Sequence, residues 1–171
     1  MGKKGAGKRK ADEPETCDVS PWTAEEQHDA DCVLDVDGTK LHIPRALLTM
    51  CSPVFRDSVR ALGADEDIPI LGFEASQVSA FLKFIHPGID VDPTAKLILE
   101  AAPVAHYFQV FVVLDQFVRW LTQFNDAETP PDESMDAILL MERLRVRTPG
   151  QLPWSRKVLT RAMETRLCKQ T

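Results

Sequence analysis

Residues 31–55, DCVLDVDGTKLHIPRALLTMCSPVF, constrain the fold more than any other stretch, because they run a β-hairpin directly into two short helices. Val33, Leu34 and Val36 lead to Asp37-Gly38, a dipeptide suited to the positive φ angles of a two-residue hairpin turn. Beyond it Leu41 and Ile43 alternate with Lys40 and His42, which implies two antiparallel strands with one buried face. Pro44 suits the first turn of a helix, where its missing N–H has no intrahelical partner. Leu47, Leu48 and Met50 give that helix its apolar side. Ser52-Pro53 repeats the device as N-cap and first residue of a second helix, with Val54, Phe55, Val59 and Leu62 facing inward and Gly63 ending it.

Further along, Asp67–Leu71 reads as a short strand whose Pro69 favours a sheet edge, since proline cannot donate to a ladder. Three helices follow. Val78, Phe81, Leu82 and Ile85 fall at helical spacing before His86-Pro87-Gly88 stops the run. Leu97, Ile98, Ala101, Ala102, Ala105 and Phe108 form a second stripe, within which Pro103 is expected to kink or shorten the helix. Val113, Phe117, Val118, Leu121 and Phe124 form a third. The predicted class is α+β, a small sheet flanked by about five helices.

The length, 171 residues, suits one domain with an appendage. Residues 1–28 hold few apolar groups and read as a disordered arm, with Trp22 as an isolated aromatic that lies against the neighbouring domain. The main domain spans 29–124, residues 125–132 (NDAETPPD) read as a linker, and 133–171 carry two apolar stripes, Met135, Ile138, Leu139 and Leu144, then Val158, Leu159, Ala162 and Met163, expected to form a helical hairpin. The net charge of −6 hides an asymmetry: five cations and no acid in residues 1–10, eight cations against Glu164 in 143–171, and seven basic against 25 acidic residues between, a balance of −18. That middle block repels phosphate backbones, so nucleic acid is not the expected partner. Cys17, Cys32, Cys51 and Cys168 are scattered, without zinc spacing, and read as reduced thiols. With no secretory-type leader and no apolar run of membrane length, the expected location is intracellular, cytoplasmic or nuclear. Lys3, Lys4, Lys8, Arg9 and Lys10 supply a basic tract of the kind used for nuclear import.

Leu41, Ile43, Arg45, Leu48, Ser52, Pro53 and Phe55 occupy the places of a segment found in the BTB/POZ family, whose hairpin leads into the same helical step. IPILGFEASQVSAFLKFIHPG and AHYFQV resemble the family's next strand and helix and a later helix end. Over about residues 29–124 the chain therefore resembles a BTB/POZ domain, with Pro44 where most members have histidine and His86 where many have tyrosine. The 133–171 segment is similar to the start of the BACK extension that follows many such domains.

The resemblance implies an interaction adaptor without cofactor or catalytic residues. It implies a homodimer interface built from the hairpin and first two helices, carried here by Asp31, Arg45, Leu47, Leu48 and Phe55. It also implies docking on the cullin scaffold of a ubiquitin ligase through 63–67, 73–81 and 115–120, which places Asp65, Phe73, Val78, Ser79, Asp115 and Arg119 at the partner surface. Ser79 stands where cullin-binding members often carry an acid. A dimeric nuclear scaffold without a cullin is the alternative.

Two enzyme-like motifs compete with this reading. Asp35-Val-Asp37-Gly-Thr39 spells the DxDGT of haloacid-dehalogenase-like phosphatases, in which the first Asp attacks phosphorus and the second handles the leaving-group proton. No GDxxxD segment accompanies it, and a hairpin after the motif argues against a parallel sheet, so Asp35 and Asp37 are expected simply to build a turn. Gly2 to Lys8 matches most of a phosphate loop, but Arg9 replaces its Ser or Thr and no strand precedes it. His28, His42, His86 and His106 show no metal-ligand spacing.

Overall fold

In the computed structural model, residues 19–22, 30–63, 66–124, 132–144 and 160 are described. The hairpin forms as its alternation requires: β1 (Cys32–Val36) pairs antiparallel with β2 (Thr39–Ile43), Leu34 opposite Leu41 and Val36 opposite Thr39. Asp37 (φ 48°) and Gly38 (φ 86°) both take the left-handed region that this turn demands. Cys32, Leu34, Val36, Leu41 and Ile43 supply the buried face. β3 (Ile68–Ile70) lies on the other side of β1 and runs parallel to it, giving the order β2-β1-β3 with Pro69 on an edge strand, as its missing donor requires. The sheet is thus mixed. The hairpin did not exclude a parallel partner, because helices α1 (Arg45–Cys51) and α2 (Pro53–Ala61) provide the crossover that parallel pairing needs.

Pro44 stands at the N-cap of α1 and the helix begins at Arg45. Ser52 both ends α1 and caps α2, its Oγ accepting from the Phe55 N–H at 3.0 Å. The same hydroxyl donates to the Phe108 carbonyl at 2.5 Å, across 56 residues of chain. Above this link the Phe55 and Phe108 rings stack at 4.1 Å, with Phe81 beside Phe55 at 6.5 Å. Met50 departs from expectation: it is 77% exposed, and Leu48 is the fully buried residue of this short helix.

Three longer helices enclose this centre: α3 (Ala75–Ile85), α4 (Ala95–Tyr107) and α5 (Phe111–Thr122). Gly72 (φ 81°) turns the chain from β3 towards α3, whose start is held by Glu74 N–H donating to Gln77 Oε1 at 3.0 Å. Pro103 does not shorten α4, which continues to Tyr107. Its neighbours Ala101, Ala102, Val104 and Ala105 are all fully buried, and their packing outweighs the cost of about 3 kcal/mol for an interior proline. Helix α4 ends in a Schellman motif: Val110 N–H donates to Ala105 O (2.8 Å) and Gln109 N–H to His106 O (3.1 Å), with Gln109 left-handed at φ 56°. Helix α6 (Asp132–Arg143) packs on α4 and α5, adding Ala137, Ile138 and Met141 to the same core. Residues 158–163, expected as a second extension helix, fall outside the described residues except Thr160, and so do 125–131 of the linker. No described helix is long and apolar enough to cross a membrane.

The left-handed Gln109 carries a strain that glycine lacks. Gln109→Gly is expected to raise stability by up to about 1 kcal/mol in urea unfolding, and a loss of stability would contradict this account of the turn.

Candidate functional site

The two charged residues singled out for an interface meet in this structure. Pro44 offers no side-chain acceptor to the first turn of α1, and Asp31, just before β1, fills that role: its Oδ1 accepts from the Arg45 N–H at 2.5 Å. The Arg45 guanidinium returns to the Asp31 carbonyl through Nη2 at 3.3 Å. The contact welds the entrance of β1 to the start of α1 and leaves Asp31 exposed and Arg45 half-buried. Leu47 is half-buried beside them. Leu48 and Phe55 are fully buried within the protomer, so they support this corner from beneath and offer no surface to a partner.

A second region is apolar and open. Phe73, on the turn into α3, packs edge-on against Tyr107 at 5.4 Å, joining that turn to the end of α4. Tyr107 stacks edge-on against Phe108 at 5.0 Å, which sits on the buried Phe55. Tyr107 itself, together with Leu71 just before Phe73 in the chain and Phe111 and Val112 at the start of α5, is between 61% and 74% exposed. On α5, Asp115 and Arg119 follow one and two turns from Phe111 and form an i,i+4 ion pair at 2.6 Å. Exposed apolar side chains that gather into one patch are the kind of feature that interaction surfaces carry.

The middle of α3 is closed instead. Val78 and Ser79 are fully buried. Ser79 Oγ accepts from the indole Nε1–H of Trp22 at 2.9 Å, and Trp22, at the end of a 3-10 turn (Ser20–Trp22), is fully buried against the domain as expected of an isolated aromatic. Asp65 and the basic residues Lys3, Lys4, Lys8, Arg9 and Lys10 lie outside the described residues.

The DxDGT residues form the hairpin turn. Asp35 Oδ1 accepts from the Gly38 N–H at 2.8 Å, which fastens the turn, and Asp37 is exposed at its apex. Asp35 pairs across the ladder with Lys40, whose ammonium reaches past β1 to Asp67 at 2.8 Å. That hydrogen bond and the Asp67 charge hold the exposed Lys40 above the ordinary lysine pKa.

A family model described as the BTB/POZ domain matches residues 23–125, more than half of the chain. The chain belongs to the BTB/POZ family. Comparison with curated proteins finds no match. BTB domains are protein-interaction modules, and this one has the family's small sheet and surrounding helices. Of the residues singled out from the sequence, Asp31 is exposed, Arg45 and Phe73 are half-buried, and Leu48, Phe55, Val78 and Ser79 lie below the surface of this BTB domain. The exposure of Leu71, Tyr107, Phe111, Val112 and Met50 was not legible in the sequence. Phe111 and Val112 did carry a signal, because they are apolar positions outside the inward stripe of α5.

Both described cysteines sit near the first corner of the BTB domain. Burial raises the Cys32 thiol pKa, partly countered by Arg45, with Asp31 and Asp67 adding to the rise; burial alone raises that of Cys51. The folded state therefore holds these protons more tightly than the unfolded chain. The stability this contributes is complete below the unfolded thiol pKa and declines as pH rises through the raised folded values. In a Cys17→Ser, Cys168→Ser background, both remaining thiols are expected to react with a disulfide reagent at pH 8.5 roughly tenfold or more slowly than in the denatured chain. Equal rates would contradict the assignment.

Proposed function

We propose that this BTB protein is an adaptor that homodimerises through the β1–α1–α2 corner and docks a scaffold protein of the cullin class on its aromatic face. The observation that carries the reading is the Phe73–Tyr107 contact, with Leu71, Phe111 and Val112 exposed around it on a chain whose other large aromatics are mostly packed inside. The corner supports the dimer half of the reading. Asp31 and Arg45 are already oriented by each other, and Met50 is the most exposed large apolar side chain of the helices that would meet a partner. Asp115 and Arg119 would flank the scaffold, and residues 133–171 would extend the support as a BACK-like segment.

A second reading, a dimeric nuclear scaffold without a cullin, is favoured by Ser79. This position has neither an acidic side chain nor access to solvent, which counts against the third-helix contact that cullin-binding members often make.

Wild-type protein at micromolar concentration is expected to sediment as a dimer. Arg45→Ala is expected to weaken that dimer by ~3 to 5 kcal/mol, because assembly would bury the pair that the protomer leaves exposed at Asp31 and half-buried at Arg45. A monomeric wild type would remove the dimer from the proposal. Purified cullin is expected to be retained by wild type and lost with Tyr107→Ala and Phe111→Ala, and lack of retention by wild type would move the conclusion to the second reading.

A further inference from the structure

Trp22 occupies a slot whose walls belong to the body of the domain. One wall is α3, where Ser79 lies fully buried with its hydroxyl accepting from the indole N–H at 2.9 Å. A second is His86, which caps the end of α3 and meets the Trp22 ring edge-on at 5.6 Å. The imidazole is not held by Trp22 alone: its Nδ1 accepts from the Gly88 N–H at 3.2 Å, which fixes the ring from the opposite chain direction. Strand β2 also touches the turn that carries Trp22. The slot is thus built from a strand, a helix and a helix cap that the core positions by other contacts, the arrangement of a preorganised site.

The occupant is built differently. Its amide closes the turn on itself, Trp22 N–H donating to Val19 O at 3.0 Å, rather than joining the sheet ladder. Val19 packs against the core as a second, smaller anchor three residues before the indole. A large aromatic anchor with one directional polar contact, preceded by a short turn and a small apolar anchor, is the architecture of a peptide ligand. Here the ligand and its receptor belong to one chain.

We propose that this slot is a peptide-binding site for a tryptophan-bearing segment of a partner protein, held closed in cis by Val19–Trp22. The ligand class follows from the chemistry of the walls. The Ser79 hydroxyl selects a ring that donates a hydrogen bond, so indole is accepted and phenyl discriminated against, and the Val19 seat asks for a small apolar residue three positions earlier. Because the cis occupant belongs to the same chain as the slot, it competes intramolecularly, and weak partner segments are excluded until the turn is released. The site shares Ser79 with the position that favours the second reading but uses none of the residues proposed for the dimer corner or the aromatic face, so its test reads separately from theirs.

The full-length chain tests this. In wild type, the Trp22 amide is expected to exchange hydrogen at least about tenfold faster than the amides of residues 78–82 on α3, because the turn opens without the domain unfolding. A fluorescein-labelled peptide of residues 18–24, DVSPWTA, is expected to bind the full-length Trp22→Ala protein. Its affinity for wild type, where the slot is filled, is expected to be at least about tenfold lower, as is the affinity for the variant of the same peptide with phenylalanine in place of tryptophan. If Trp22→Ala does not fold, Trp22→Phe takes its place as receptor, retaining most of the ring while losing the bond to Ser79. A Trp22 amide as protected as α3, peptide binding equal in wild type and variant, or no binding to a folded variant would each overturn the proposal.

Discussion

The hydroxyl of Ser52 is the point on which the rest of the structure hangs. It is fully buried and serves two elements at once, accepting from Phe55 N–H at the start of α2 and donating to the Phe108 carbonyl at the end of α4. Leaving two backbone groups without partners in a dry interior costs about 1 to 3 kcal/mol for each. The hydroxyl therefore fixes where α4 stops relative to α2, and the Phe55–Phe108 stack at 4.1 Å is its apolar counterpart. Everything outward follows from that registration. The Schellman turn at Gln109 sends the chain into α5, Tyr107 is left at the rim, and Phe73 can close against it.

Interior and surface are divided in a way that suits a docking module. Aromatic side chains that hold the helices together, Phe55, Phe81, Phe108 and Phe117, are spent inside, whereas Tyr107 and Phe111 remain exposed. At the other corner Asp31 and Arg45 satisfy each other's backbone within the protomer, so this corner is already ordered. The acidic balance of −18 over residues 11–142 keeps these surfaces from attracting phosphate polymers.

What was legible in the sequence was local. Period-two alternation around Asp37-Gly38 gave the hairpin, Ser52-Pro53 gave the second helix, and helical spacing gave α3, α4 and α5, because each signal is complete within a few residues. Contacts between distant segments were not. Ser52 was readable as a cap but not as the partner of Phe108, and the left-handed end of α4 carries glutamine where glycine would have announced it. Pro103 does not shorten α4 because burial on both sides holds the helix together past it, and Met50 is exposed because a seven-residue helix can bury one strip without burying its last turn. Family resemblance proposed which elements carry the interfaces, and burial adds that Leu48, Phe55, Val78 and Ser79 lie inside the protomer, where a partner cannot touch them directly.

The most direct measurement of this account is amide hydrogen exchange in Ser52→Ala. If the hydroxyl registers α2 against α4, protection is expected to fall together at Phe55, whose N–H it accepts, and at Phe108, Gln109 and Val110 at the far end of the link, while α6 keeps wild-type protection. A loss confined to the first turn of α2, with the end of α4 unchanged, would show that Ser52 is an ordinary helix cap and that the rim carrying Tyr107 is held by something else.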